Sequence, residues 1–163
     1  MANKPIIMPD GVGFGGSALA RFVEWTAYTS TISNQGNATQ SMMYMVIGNC
    51  LFIRGTIKIG SSLPTGGISF TIPSGYTADF SKHTLGAVGY DAYQLVGRAL
   101  CYKSNNTAKS DATVARNGGG GNFYFICADG STYGTPAGID ASAGTFTFAA
   151  SDTIQFDMSI CIS

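Results

Sequence analysis

Charge is what this chain has least of. Only 11% of its 163 residues are Asp, Glu, Lys or Arg, against about 25% in an average soluble domain. The nine basic and nine acidic residues cancel and are scattered, so no basic stripe stands ready to neutralise a phosphate backbone or an anionic lipid surface. Neither nucleic acid nor a membrane is expected as a partner. Glutamate is almost missing, with Glu24 its one representative, and apolar residues nowhere keep a three-and-four spacing, which removes the amphipathic helix as a major element. No apolar run approaches the ~20 residues of a membrane-spanning helix.

Histidine is equally scarce. An acyl-transfer triad would have to use His83, the single histidine, which stands beside Lys82 in turn-rich sequence that suits a surface position. There is no G-x-S-x-G elbow, no H-E-x-x-H and no phosphate or dinucleotide loop. The aspartates Asp79, Asp91, Asp111, Asp129, Asp140, Asp152 and Asp157 mostly neighbour Gly, Ser, Thr or Ala, where a carboxylate bonds nearby backbone amides rather than pairing for glycosidase work. Asp129 and Asp140 bracket an oxygen-rich loop, but the spacing of a calcium-binding EF-hand loop is missing. The expectation is a non-enzymatic protein with no cofactor and no metal. Asn37-Ala38-Thr39 and Asn105-Asn106-Thr107 match glycosylation sequons and are expected to be chance matches in the absence of a secretion signal.

The four cysteines, Cys50, Cys101, Cys127 and Cys161, form no C-x-x-C pair, so zinc is weakly supported. Their even number permits two disulfides. Each lies in or beside a strand-like apolar run where a reduced cysteine serves as a small hydrophobe, and reduced thiols are the expectation. Ala18-Leu19-Ala20 has the look of a signal-peptidase site, but Pro5, Pro9, Asp10 and several glycines break any apolar core ahead of it.

What the chain has in quantity is glycine, 22 residues, and aromatics, 12%. Together they describe short strands joined by tight turns. The length suits one domain that buries roughly two-thirds of its unfolded surface. From Leu51, apolar residues alternate through Ile53, Ile57 and Ile59 with Gly55 in phase, the pattern of a half-buried strand. Met42 to Ile47 precedes it across Gly48-Asn49 as the first arm of a hairpin, with Met and Tyr content suited to burial on both faces. Ile68, Phe70 and Ile72 resume the alternation, either back against the first strand or in a facing sheet. Arg21 to Ser30 reads as the first strand, with Trp25 filling core. Tyr93 to Lys103 follows with Leu95, Gly97, Ala99 and Cys101 in one phase, then Phe123 to Ala128 and the short Thr145 to Ala149. The closing Thr153 to Ile162 puts Ile154, Phe156, Met158, Ile160 and Ile162 on one face. Residues 105–121 and 128–144 read as long polar, glycine-rich loops.

About seven to nine strands of this kind predict an all-β, two-sheet antiparallel sandwich, jelly-roll-like, over residues 21–163. Ahead of it, residues 1–20 predict an extended N-terminal arm with Ile6, Ile7, Met8 and Phe14 as apolar pegs, reaching up to roughly 60 Å. A chain with so little charge and no net charge has little repulsion to keep copies apart, so association is expected.

One set of residues carries a resemblance. Trp25-Thr26-Ala27-Tyr28, Tyr44, the run from Ile47 through Arg54-Gly55 to Gly60, and Ile68-Ser69-Phe70-Thr71-Ile72-Pro73-Ser74-Gly75-Tyr76 together resemble a module of tailed-bacteriophage virion proteins. There a W-T-P start, a G-x-x-x-x-x-R-G strand and a closing I-x-L-P-S-G recur. Ala27 stands here where that pattern has Pro. The resemblance covers about residues 22–163 and is specific over 44–76. It implies a jelly-roll-like homotrimer at the virion surface. One role it implies is a capsid decoration or cement knob whose arm anchors it to the major capsid protein of the head. The other is the tip of a tail fibre, with residues 104–121 and 128–144 touching a host surface glycan. A fibre tip normally follows a long stalk, whereas this sequence opens with Met and a short arm, which favours the capsid role.

Overall fold

The computed structural model describes residues 6–7, 13–14, 24–64, 67–82, 93–105, 109–117, 121–128, 136–138 and 148–163. All of its extended elements pair antiparallel. The one helical turn among the described residues is a 3-10 turn at Phe80–Lys82.

Nine strands make a single hydrogen-bonded path. In chain order they are β3 (Thr26–Tyr28), β4 (Ile32–Ser33), β5 (Thr39–Ile47), β6 (Cys50–Lys58), β7 (Ser69–Thr71), β8 (Tyr93–Tyr102), β9 (Lys109–Asn117), β10 (Asn122–Ala128) and β12 (Thr153–Cys161), with β11 (Pro136–Gly138) pairing β10 off the path. Their spatial order is β3-β5-β6-β12-β8-β9-β10-β7-β4. The fold is all-β, as the alternation requires. The strands join in one continuous hydrogen-bonded sheet that curls over on itself, so that its two halves face each other. Phe156 on β12 and Phe70 on β7 show the curl: four strand spacings separate them along the path, about 19 Å in a flat sheet, yet their ring centres are 4.8 Å apart. Phe125 of β10 meets the same Phe156 ring at 5.1 Å.

The two ends of the path, β3 and β4, are successive pieces of one segment. Ser30 sits between them and ties both sides. Its backbone N–H donates to the Gln40 side chain and its C=O accepts from the same amide, while its hydroxyl donates to the Thr71 carbonyl at 2.8 Å. The segment leaves β5, crosses and joins β7.

Inside the curl lie Leu51, Ile53, Ile57 and Ile59 of and beyond β6, Phe70, and Ile154, Phe156 and Ile160 of β12, all buried. Trp25 does not join them. It is half-buried on the outer face, because it sits in phase with Ala27, whose partner Met43 points out, while Thr26 and Tyr28 pair with the inner positions Tyr44 and Met42.

Three further expectations are corrected. Residues 109–117 belong to a central strand rather than to a loop, pairing β8 on one side and β10 on the other, with Ala112, Val114 and Ala115 buried. Small alanines gave that strand too little apolar contrast to be seen. Leu95 does not share the inner phase of Ala99 and Cys101: a bulge at Val96 shifts the register between Leu95 and Gly97, leaving Leu95 53% exposed. A Cβ on Gly97 would come within 2.2 Å of the Asp157 carbonyl oxygen, so β8 approaches β12 there as only glycine permits. Of β5 only Met42 is buried; Met43, Tyr44, Met45 and Val46 are half-buried and Ile47 is 52% exposed, so neither face of this strand is fully covered.

The Gly48-Asn49 turn closes the β5–β6 hairpin, with Ile47 opposite Cys50. Positive φ occurs at Gly48 and not at Asn49, which is the type II′ pattern and explains why glycine comes first. Of the expected arm, Ile6–Ile7 (β1) and Gly13–Phe14 (β2) pair antiparallel, Ile6 opposite Phe14, as a separate two-stranded ribbon. These residues therefore form a hairpin and not one extended run. Met8 lies outside the described residues, as do His83, Asp129 and Asp140 and most of 128–144. Of the strand expected at Thr145 to Ala149, Phe148 and Ala149 are described and carry no strand pairing.

Candidate functional site

Side chains on the outside of β5, β6, β12 and β8 are those that fall between the core positions of the alternation. Because directly paired residues share a face, Met45 aligns with Phe52, and Asp157 aligns with Arg54 on one side and Arg98 on the other. Trp25, just ahead of β3, extends this row. The result is a shallow open groove of about 460 Å³ walled by Trp25, Met45 and Phe52 and edged by Arg98, Asp157 and Ser159.

The groove's chemistry is apolar contact with a charged margin. The Arg54 guanidinium carbon lies 4.2 Å from the Trp25 ring centre, a cation–π stack, and its Nη2 reaches the Met43 sulfur at 3.8 Å. At the other margin Arg98 Nε and Asp157 Oδ1 are 3.4 Å apart with both side chains largely exposed, an arrangement that contributes little to stability in water. No nucleophile stands with a base among the described residues lining the groove. Among the described residues no group of three or more His, Cys, Asp or Glu could hold a metal ion.

The buried polar chemistry lies elsewhere and is structural. Asp152, 1% exposed, accepts from Lys103 Nζ at 2.9 Å, the Ala149 N–H at 2.7 Å and the Ser104 N–H at 3.0 Å. Burial alone would raise its pKa, but the Ala149 amide, Lys103 and the Ser104 amide together outweigh that and hold the carboxyl below the usual range. It binds the turn after Phe148 to the end of β8. Asp79 does the same for the 3-10 turn, accepting from the Ser81 hydroxyl and amide and pairing with Lys82 at 2.9 Å. Asn37, in one of the two sequons, is engaged with Ser61 and Ser62 as a turn brace.

The residues that carried the resemblance come together in space although they are scattered along the chain. Trp25 meets Arg54. Tyr28, Tyr44 and Tyr76 form an edge-to-face series, with successive ring centres 5.7 Å apart. Gly55, beside Arg54, faces the Phe156 ring so closely that a Cβ would fall 2.8 Å from it. Their shared task in this chain is to join β3, β5, β6 and the turn after β7. Sequence reading missed the outer groove, because one face of an alternating strand shows only as the residues between the core positions. The signal that could have found it was apolar content in both phases of 43–53.

No family model matches the chain, and neither a curated protein nor a solved structure matches it.

Proposed function

We propose that the protein is a non-enzymatic structural module that works as a homo-oligomer, a trimeric knob decorating the head of a tailed bacteriophage and bound there to the major capsid protein. The observation that supports assembly is the outer face around Trp25. Met43, Met45, Phe52 and Trp25 are half-buried there, and Ile47 and Leu95 more than half exposed. The occupant is a second copy of the chain. The apolar content of this outer face favours face-to-face contact. The outer face of four strands measures ~19 Å by ~30 Å, about 570 Å², and supplies much of the ~800 Å² per partner of a stable interface. Arg98 and Asp157 at the margin carry opposite charges, so copies meet without like-charge repulsion.

The virion assignment is supported by the resemblance of residues 44–76 and by the scarcity of charge. The receptor-binding reading ranks second. Trp25 with Arg98 and Asp157 has the composition of a glycan subsite, but Arg54 already occupies one face of the indole. Sedimentation equilibrium tests the assembly: a trimer at micromolar concentration is expected, and a folded, monodisperse monomer would overturn it. Antibody labelling of intact virions tests the location, with label on the head expected and label confined to the tail contradicting the capsid role.

A further inference from the structure

Cys50 opens β6 and Cys161 closes β12, and the register sets them directly opposite each other. Both lie on the outer phase, half-buried, and both carry reduced thiols. In an antiparallel ladder, hydrogen-bonded and non-hydrogen-bonded pairs alternate. The Ile162 N–H donates to the Asn49 carbonyl at 2.8 Å, and the Ile59 N–H donates to the Asp152 carbonyl at 2.8 Å. Both make the odd positions of β6 and its continuations the hydrogen-bonded ones. Cys50 and Cys161 therefore form a non-hydrogen-bonded pair, where facing Cα atoms stand about 4.5 Å apart and side chains approach most closely. That separation lies within the ~4.4–6.8 Å span of a disulfide. Burial raises the Cys161 pKa, and the neighbouring Cys50 thiol raises it further. Cys101, by contrast, is fully buried on the inner face.

We propose that Cys50 and Cys161 are a disulfide site, reduced during synthesis and closed by thiol–disulfide exchange with a small-molecule disulfide once the protein is outside a reducing compartment. The Cys50 thiol loses its proton and attacks the small disulfide. One reduced thiol leaves and a mixed disulfide remains on Cys50. The Cys161 thiol loses its proton and attacks the Cys50 sulfur, releasing the second reduced thiol. The two protein sulfurs give up two electrons together, and the small disulfide accepts them. The bond ties the C-terminal strand to the centre of the sheet and restricts the unfolded chain across most of the domain. It does not depend on the oligomer or on a virion location.

The full chain treated with oxidised glutathione, then alkylated and digested, provides the test. Expected are a fall from four alkylatable thiols to two and a linked peptide pair containing Cys50 and Cys161. The melting temperature should also rise, a rise that dithiothreitol reverses and that both Cys50→Ser and Cys161→Ala lack. Four thiols still alkylated, glutathione retained as a mixed disulfide, or a link joining a different pair would each overturn the proposal. Mapping of the unmutated chain decides the matter even if a variant fails to fold.

Discussion

At the scale of single residues, two buried polar groups behave in opposite ways. The Tyr28 hydroxyl is enclosed with no hydrogen-bond partner among the described residues, and burial pushes its pKa well above the ordinary phenol range. Tyr28→Phe keeps the ring against Tyr44 and removes an oxygen whose desolvation nothing offsets, so stability should rise by about 1 kcal/mol. Chemical denaturation checks this, and a loss of stability would mean that the hydroxyl has an acceptor. Asp152 is the satisfied counterpart. Asp152→Ala leaves Lys103 and two backbone amides without their acceptor and should cost about 3 kcal/mol. Because the folded pKa of Asp152 lies below the unfolded value, the charged form is the one that folding favours. Its contribution is complete at neutral pH and is lost as pH falls from about 4 down through the folded pKa. The difference in melting temperature between wild type and Asp152→Ala should shrink over that acid range and stay constant above about pH 6.

Strands show how far local pattern reaches. The alternation of Leu51, Ile53 and Ile57, and of Ile154, Phe156 and Ile160, marks the inner faces of β6 and β12 without ambiguity, since a period of two has only two phases. Ile57→Asp should prevent folding, because it would set an unpaired charge in the core; a soluble chain with unchanged circular dichroism would mean that the faces are reversed. β9 was not legible, since its buried residues Ala112, Val114 and Ala115 fall on both phases and two of them are small alanines, so no apolar alternation marks the strand. The phase of β8 misled at Leu95 because a bulge is a property of the pair, not of the strand. Gly97→Ala should destabilise by about 1–3 kcal/mol, since the obstruction is β12 backbone that cannot swing aside. Urea midpoints for this variant and for Gly121→Ala, where the space is open, would separate steric cost from glycine entropy.

For the whole molecule, the question is what covers the outer face. If copies of the chain do, Phe52→Lys should convert the trimer to folded monomers, because it places charge in the groove beside Trp25 without touching the inner core. Sedimentation equilibrium together with circular dichroism reads both parts of that outcome. Loss of fold along with assembly would show instead that Phe52 serves the monomer. Deleting residues 1–18 should leave the trimer folded and abolish attachment to capsids, and equal binding of the truncated chain to shells would reduce those residues to a tail.

Composition and the period-two alternation decided by themselves that the chain is all-β and which residues of β6, β7 and β12 face inward. These are local properties, set by neighbours one and two positions away. Only the tertiary structure decided that the sheet is single and curled, that Trp25 lies outside against Arg54, and that Cys50 faces Cys161. Each of those depends on pairing between segments far apart in the chain, where register and curl are set by packing around Phe156 and by the glycines that let neighbouring strands approach it.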